Sequence, residues 1–344
     1  MWHHWTPAAW RGPFPFEIGL FFFLTLTGFL ITRILLRERA AGEVGGGKWR
    51  ARACHDFLKR RMTRILVPCY AGMLFAIVVR APDIREHWPT YLLHGSNFHM
   101  AFMTGWPSGT AHYWTLAIQM QFYLLWPPVV LLAPRRMLGG LFMACVALAP
   151  LSRMILARWF PEIHHAEAIT TSALDYFGIG ALLALAMERG QKAGDARLKL
   201  AAWIAFAGYV ALYVCSRLDL PTGGFGYIQQ TLLSVALAGL ISSTLEGIRG
   251  IPGKLLDHPA VQHVGRLSYG LYLFHTPVPL LLGFVLPWLW HPFFNGPWLA
   301  LRLAAFGLAS WGVAYLCWRY LETGAAGSSK NAGNKEGGRS VQQS

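Results

Sequence analysis

Two long apolar runs joined by a strongly basic segment constrain this chain more than any other feature. The runs cover residues 17–36 and 62–80, close to the length of about 20 residues that a helix needs to cross a bilayer. Residues 33–64 carry ten arginines and lysines. Because loops rich in Lys and Arg stay in the cytoplasm, the pattern predicts a membrane hairpin with its connection on the cytoplasmic side.

The composition extends this prediction to the whole chain. Hydrophobic residues make up 54% of the sequence and charged residues 13%, about half the charged share of a soluble domain. The net charge of +14 lies in loops between apolar runs, which favours membrane topology over nucleic-acid binding. The five cysteines are scattered without a CxxC pair, so we expect no disulfide framework and no metal site. The sequence predicts an all-α, polytopic integral membrane helix bundle.

Nine spans can be read from the apolar runs. With 33–64 in the cytoplasm, the loops assigned inside hold 23 lysines and arginines and those outside hold six, as the positive-inside rule requires. The C-terminus is then cytoplasmic and the location is the inner (plasma) membrane. The predicted spans are 17–36, 62–80, 112–133, 137–158, 170–188, 198–216, 227–245, 264–288 and 297–318.

The same map predicts the organisation of the two ends. Residues 1–16 fall outside with no crossing before them, so we expect that a preceding helix is missing from a ten-helix parent. Residues 1–323 form one membrane domain. The tail, 324–344, is rich in Gly, Ser, Asn and Lys, and we expect it to be disordered in the cytoplasm.

Ionisable and strongly polar residues within the spans are the first functional candidates, because such groups are costly in a membrane. Gln119 and Tyr123 are four apart and share a helix face, but the amide would equally serve to bond neighbouring helices. His275 lies within a span, and a packing histidine is as good an explanation as a catalytic one. His3 and His4 near the N-terminus suit general-base work on a hydroxyl, unless they are mobile and without function.

Three arginines form the best candidate anion site. Arg61 and Arg64 are three apart on one predicted helix face, with Arg60 beside them. Guanidinium groups bind phosphate bidentately, which suits a pyrophosphate. Topology signalling or contact with anionic lipid headgroups explains the same residues, and composition alone favours that explanation.

Four stretches in order resemble the acyltransferase family 3 membrane proteins, which O-acylate cell-surface glycans and some small molecules. Gly19–Leu30 is similar to the family's Phe-Phe run ending in Ser-Gly-Phe-Leu, and Phe57–Pro68 to its Arg-Arg-x-x-Arg-Ile-x-Pro segment. Trp114–Pro127 resembles its Trp-Ser-Leu-x-x-Glu-x-Gln-Phe-Tyr-Leu-x-Trp-Pro signature. Ser268–Pro277 resembles its Ser-Tyr-x-x-Tyr-Leu-x-His-x-Pro. The likeness extends over almost the whole chain up to the tail.

The resemblance also shows where the chain departs from the family pattern. The first-helix histidine of the family would be His4, with His3 as the alternative, and its partner arginine has no counterpart in the sequence. The acid of the third-span signature falls on Gln119, which cannot take a proton. The acid before the Phe-Phe run falls on Phe21, with Glu17 one turn earlier.

The resemblance implies a membrane O-acyltransferase that moves an acyl group, most simply acetyl, from acyl-CoA to a hydroxyl of a surface glycan. The imidazole would deprotonate that hydroxyl or accept the acyl group first. The alternative is an inactive relative or a transporter of a lipid-linked glycan, and a purely structural protein ranks last. We expect membrane lipid and a hydroxyl acceptor as partners and no nucleic acid, and the oligomeric state stays open. The implied residues are His4, His3 and Glu17 for catalysis, Arg61, Arg64 and Arg60 for CoA, and Gln119, Tyr123, His275, Trp114 and His112 around the substrate cavity.

Overall fold

The computed structural model describes residues 1–7, 10–15, 17–291, 296 and 298–322, without the side chains of Trp2 and His3. Within those ranges every regular element is a helix, which confirms the predicted all-α class. The tail at 324–344 lies outside the described residues, so its disorder stays a prediction. In chain order the α-helices are α1 (Trp2–Trp5), α2 (Ile18–Gly45), α3 (Trp49–Val78), α4 (Pro82–Glu86), α5 (Trp88–Leu92), α6 (Ser96–Ala101), α7 (Tyr113–Leu132), α8 (Arg135–Trp159), α9 (Leu174–Glu188), α10 (Ala196–Arg217), α11 (Gln229–Thr244), α12 (Gly250–Asp257), α13 (Pro259–Phe274), α14 (Pro277–Val285) and α15 (Leu299–Cys317).

The described helices include eight that are long and apolar enough to cross a membrane, and a ninth span if one bent pair is counted. The eight contain α2, α3, α7, α8, α9, α10, α11 and α15. These correspond to eight of the nine predicted spans and make the chain a multi-pass membrane protein. The exception is the span predicted over 264–288, where α13 and α14 are bent by 69°.

Two prolines explain why that span is broken. α13 ends at Phe274, and His275 and Thr276 keep roughly helical backbone angles, so the break lies in the hydrogen bonds rather than in these dihedrals. Neither Pro277 nor Pro279 has an N–H to donate to the carbonyl four residues earlier. The carbonyls of Leu273 and His275 therefore lose their usual helical partners. The break leaves His275 and Thr276 between two helices rather than inside one.

The closest helix packing joins α2 to α9 through two glycines. A Cβ at Gly180 would lie 2.2 Å from the carbonyl oxygen of Thr25, and one at Gly28 would lie 2.5 Å from that of Phe177. Small residues allow this approach, as is typical of helix pairs in membranes. The ring of Phe177 stacks on Phe122 of α7 at a centroid distance of 4.0 Å. These contacts fix α2, α7 and α9 as the centre of the bundle.

A network of charged side chains joins the helix ends at one side of the bundle. Arg39 is buried and donates from Nη1 to the carbonyl of Val130 at 2.7 Å, near the end of α7. Arg135 pairs with Glu43 of α2 and Glu188 of α9, each at 2.9 Å. We call this side, where α2, α7 and α9 end and α8 begins, the basic end. The first residues of α7 and the loop 81–112 lie at the opposite end.

Candidate active site

The break between α13 and α14 orients His275. Its Nδ1 lies 2.8 Å from the carbonyl oxygen of Tyr272. A carbonyl only accepts, so Nδ1 carries the proton and Nε2 presents its lone pair, the arrangement of a potential base. The carbonyl oxygen of His275, which Pro279 leaves free, accepts from the indole Nε1–H of Trp5 at 2.6 Å. The break therefore orients an imidazole and also attaches α1 to the bundle.

Three imidazoles come together around this point. The ring of His275 lies 5.2 Å from that of His4 and 5.2 Å from that of His112, measured between centroids. His4 is exposed, whereas the other two are buried. The hydroxyl of Thr276 donates to the carbonyl of Gly109 at 2.9 Å and lies 2.7 Å from Nδ1 of His112. We call His4, His112 and His275 the histidine cluster.

Hydroxyl groups fix the start of α7 against α13 beside the histidine cluster. The hydroxyl of Tyr272 lies 3.0 Å from the carbonyl oxygen of His112 and hydrogen-bonds the hydroxyl of Thr115. Thr115 donates to the same carbonyl at 2.8 Å. Sequence reasoning missed Thr115, Thr276 and Trp5, although the two prolines after His275 were a signal for the break.

A buried arginine supports α1 from the other side. Arg302 of α15 is 3% exposed and donates from Nη2 to the carbonyl of Trp5 at 3.0 Å. Its guanidinium also lies 5.9 Å from the ring centroids of Trp290 and Phe306. Trp5 is therefore held through its carbonyl and its indole, and this fixes the neighbouring His4 at the histidine cluster.

The three predicted arginines line one cavity. Arg60, Arg61 and Arg64 surround a space of about 210 Å³ together with Ile34 and Phe57. Arg60 also pairs with Glu38 at 3.2 Å, on the side of α2 toward the basic end. We call this space the arginine pocket. Guanidinium groups around a space of this kind can bind a phosphate group.

Gln119 and Tyr123 lie between the arginine pocket and the histidine cluster. The Gln119 amide donates to the Tyr123 hydroxyl at 2.5 Å, and both side chains are buried. Tyr123 is close enough to Arg61 for the two to interact electrostatically. Along α7, His112 and Tyr123 are separated by about 16 Å, at 1.5 Å per residue. The structure thus places Gln119 and Tyr123 on the helix that runs from His112 toward Arg61.

Trp114 and Glu17 have partners outside the histidine cluster. Trp114 is 5.7 Å from Trp106 between ring centroids, and Trp106 contacts His165 at 4.1 Å, which forms an aromatic patch at the opposite end. Glu17 is exposed at the start of α2, where its carboxylate interacts electrostatically with Tyr209. No described contact joins Glu17 to the histidine cluster. The side chain of His3 lies outside the described residues.

Phe21, which stands at a position where the family pattern has an acid, is packed rather than polar. Its ring stacks on Tyr176 of α9 at a centroid distance of 4.9 Å and an angle of 5°. The stacked pair contributes to the contact between α2 and α9. An apolar packing role therefore accounts for Phe21 in this chain.

Comparison with known proteins agrees with the four motifs. An acyltransferase domain family model matches residues 2–319. The peptidoglycan O-acetyltransferase OatA of Listeria monocytogenes is 25% identical over 89% of this chain and 50% of its own length. The putative peptidoglycan O-acetyltransferase YrhL of Bacillus subtilis is 26% identical over 77% of this chain and 44% of its own. The O-acetyltransferase OatA of Staphylococcus aureus is 24% identical over 76% and 45%.

These comparisons cover nearly all of this chain but only part of each relative. The chain spans about half the length of the curated relatives it matches. No solved structure matches it. The family model nevertheless includes the histidine cluster, the arginine pocket and all the long described helices. The chain therefore belongs to acyltransferase family 3.

Proposed function

We propose that this protein is an O-acyltransferase that moves an acyl group, most simply acetyl, from acyl-CoA to a hydroxyl of a cell-envelope glycan. The observation that carries the proposal is the pairing of two features in one bundle. The histidine cluster supplies a base at one end, and the arginine pocket supplies cations toward the other. Family membership and the names of the relatives support acyl transfer and a glycan acceptor.

The proposed orientation places the arginine pocket toward the cytoplasm. The excess of arginine and lysine in the loops at the basic end supports this, because such loops stay on the cytoplasmic side. In a bacterial inner membrane, the histidine cluster would then face the outer side, and the C-terminus would be cytoplasmic. Residues 1–323 would act as one membrane domain.

The donor would bind in the arginine pocket and extend along α7. Arg61 and Arg64, with Arg60, would pair with the phosphates of acyl-CoA, whose charge matches a pocket lined by three cations. The thioester would pass Tyr123 and Gln119 to reach the histidine cluster, about 16 Å farther along α7. CoA, whose thioester lies at the end of a long flexible arm, suits this separation.

The chemistry needs an imidazole that can accept a proton near neutral pH. In the direct route, His4 takes the proton of the acceptor hydroxyl as its oxygen bonds to the thioester carbon. The carbon–sulfur bond breaks, and the departing CoA thiolate takes the proton from the imidazole. In the alternative route, an imidazole nitrogen bonds to the thioester carbon as the carbon–sulfur bond breaks and CoA leaves as its thiolate. The hydroxyl oxygen then takes the acyl carbon from the imidazole, and the hydroxyl proton goes to the thiolate. His275 is the second candidate for either role, because its Nδ1–H bond leaves Nε2 free.

Acyl transfer from labelled acetyl-CoA to cell-wall glycan in isolated membranes tests the proposal. A positioned base contributes about 10²–10⁴-fold, so His4→Gln and His275→Gln should lower the rate, at least one of them by that amount. Arg61→Gln should raise the donor concentration needed for half-maximal rate. Arg52→Gln is the matched control, because Arg52 is exposed on the same helix and does not line the pocket. Equal transfer in all four variants and the wild type would reject the assigned roles.

A second candidate function is that of an inactive relative or a transporter that binds a lipid-linked glycan. The observation in its favour is Gln119, which stands where the family pattern has an acid and is bonded to Tyr123. Replacing Gln119 with Glu distinguishes the two. If wild-type membranes show no acyl transfer and Gln119→Glu membranes do, this would support a chain that has lost activity at this position.

A further inference from the structure

Three side chains that the proposed reaction does not use converge in the loop 81–112. The oxygen Oδ1 of Asp83 lies 2.9 Å from Nε2 of His99 and 3.3 Å from Nδ1 of His87. One ligand atom from each residue lies within 4.8 Å of the other two. The centroids of the two imidazole rings lie 4.2 Å apart, and the ring planes are tilted by 32°. Two short helices bring these groups together, since Asp83 lies in the first turn of α4, His87 follows its last residue, and His99 lies in α6.

The spacing of the atoms fits a metal ion. A tetrahedral Zn²⁺ with bonds of about 2.0–2.1 Å needs its ligand atoms about 3.3 Å apart. The two measured separations, 2.9 and 3.3 Å, are close to that value. Asp83 and His87 are also four residues apart, so their side chains share one face of the helical turn.

The surroundings of Asp83 resemble the outer shell of a metal site. Its other carboxylate oxygen accepts a hydrogen bond from the hydroxyl of Tyr91, and that hydroxyl lies 3.1 Å from Oγ1 of Thr110. Tyr91 is fully buried and Asp83 is 9% exposed, whereas the side chains of His87 and His99 are 43% and 23% exposed. The carboxylate is thus fixed from the protein side, while the imidazoles leave a path for an ion.

We propose that Asp83, His87 and His99 bind one divalent first-row transition metal ion, with Zn²⁺ as the best match. Two imidazoles and one carboxylate suit zinc and its neighbours, whereas magnesium and calcium prefer oxygen ligands alone. Three protein ligands would leave a fourth position for water. The ion would join α4 to α6 at the end of the bundle that carries the histidine cluster. This proposal does not depend on acyl transfer.

The hydrogen bonds within the cluster are compatible with metal binding. A neutral imidazole carries its single proton on either nitrogen. When the proton moves to the nitrogen that faces away from Asp83, the facing nitrogen becomes a ligand. Because both imidazoles must be unprotonated at the metal, an excess of acid should compete with the ion.

Metal binding by the purified full chain, carried on a tag without histidine, tests the proposal. The protein is stripped with a chelator, given Zn²⁺ and desalted, and bound zinc is measured by elemental mass spectrometry together with the melting temperature. We expect one zinc per chain and a higher melting temperature with Zn²⁺ than with Mg²⁺. For the wild type, the visible absorption bands of bound Co²⁺ give a second measure of metal binding.

The variants locate the ion. His99→Ala and His87→Ala should each weaken zinc binding at least tenfold, and Tyr91→Phe, which removes an outer hydrogen bond, by about 10–100-fold. His55→Ala is the matched control and should bind as the wild type does. His55 also lies beside an aspartate, Asp56, at 3.2 Å, but no third ligand from the described part of the chain joins that pair. Wild type without stoichiometric zinc, or zinc that persists unchanged in His99→Ala, would overturn the proposal.

Discussion

Trp5→Phe is the sharpest test of how the histidine cluster is assembled. The indole of Trp5 donates to the carbonyl of His275, which Pro279 deprives of a helical partner. Phenylalanine keeps an aromatic ring for the edge contact with Phe306, at 6.0 Å in the wild type, but has no N–H. The substitution therefore isolates one hydrogen bond between α1 and the bundle.

The expected magnitude follows from the loss of that bond. A buried acceptor left unsatisfied costs about 1–3 kcal/mol. Because that energy favours release of α1, the released fraction should rise by about 5–150-fold. Hydrogen exchange of residues 1–7 measures this, because the amides of His4 and Trp5 bond the carbonyl of Met1 only while the helix is formed. Exchange should accelerate by that factor, and acyl transfer should fall with the docked fraction.

Trp10→Phe is the control for this experiment. Trp10 is 55% exposed, so the same change there should leave exchange and transfer as in the wild type. The reasoning would be refuted if Trp5→Phe left both measurements unchanged. It would also be refuted if the two variants had equal effects.

Three further predictions concern stability in detergent. Gly180→Ala should lower the free energy of unfolding by about 1–3 kcal/mol, because the added Cβ would lie 2.2 Å from a carbonyl oxygen. Gly140→Ala, which has open space around it, should leave that free energy unchanged, and a denaturant titration compares the two variants. Asp175→Asn should lower the free energy of unfolding by about 3–5 kcal/mol, because Asp175 pairs with buried Arg153 at 2.5 Å. A variant as stable as the wild type in the same titration would contradict this. Burial lowers the pKa of His94 from 6.5, so protonation opposes folding and stability should fall as the pH drops below that value. Asparagine tolerates the φ of 54° at this position, so His94→Asn should show a smaller fall in melting temperature between pH 7 and 5 than the wild type does. Equal falls in the two proteins would show that His94 does not cause the pH dependence.

Local features of the sequence predicted most of the fold. Apolar runs of the right length identified the spans, because a backbone in lipid must bond within its own helix. Arg61 and Arg64 meet in one pocket because three-residue spacing is itself a helical contact. The bend after His275 was missed, since hydropathy over 264–288 stays high across Pro277.

Long-range contacts could not be predicted in the same way. Trp5 and His275 are 270 residues apart, and the need for an indole at this carbonyl arises only once α13 has ended. Asp83 and His99 likewise lie on separate short helices, and their spacing in the chain matches no familiar metal motif. In both cases tertiary packing decides which polar groups meet.

If acyl transfer proceeds as proposed, the length of α7 between Tyr123 and His112 would also limit which donors the bundle can use. A small activated acid such as acetyl phosphate carries its reactive carbon directly beside its charge. If that charge were held by Arg61, the carbon would stop well short of the imidazoles. Only a molecule that separates its anionic part from its reactive end by a chain of comparable length would deliver an acyl group. The fold would thereby select its donor by reach as well as by charge.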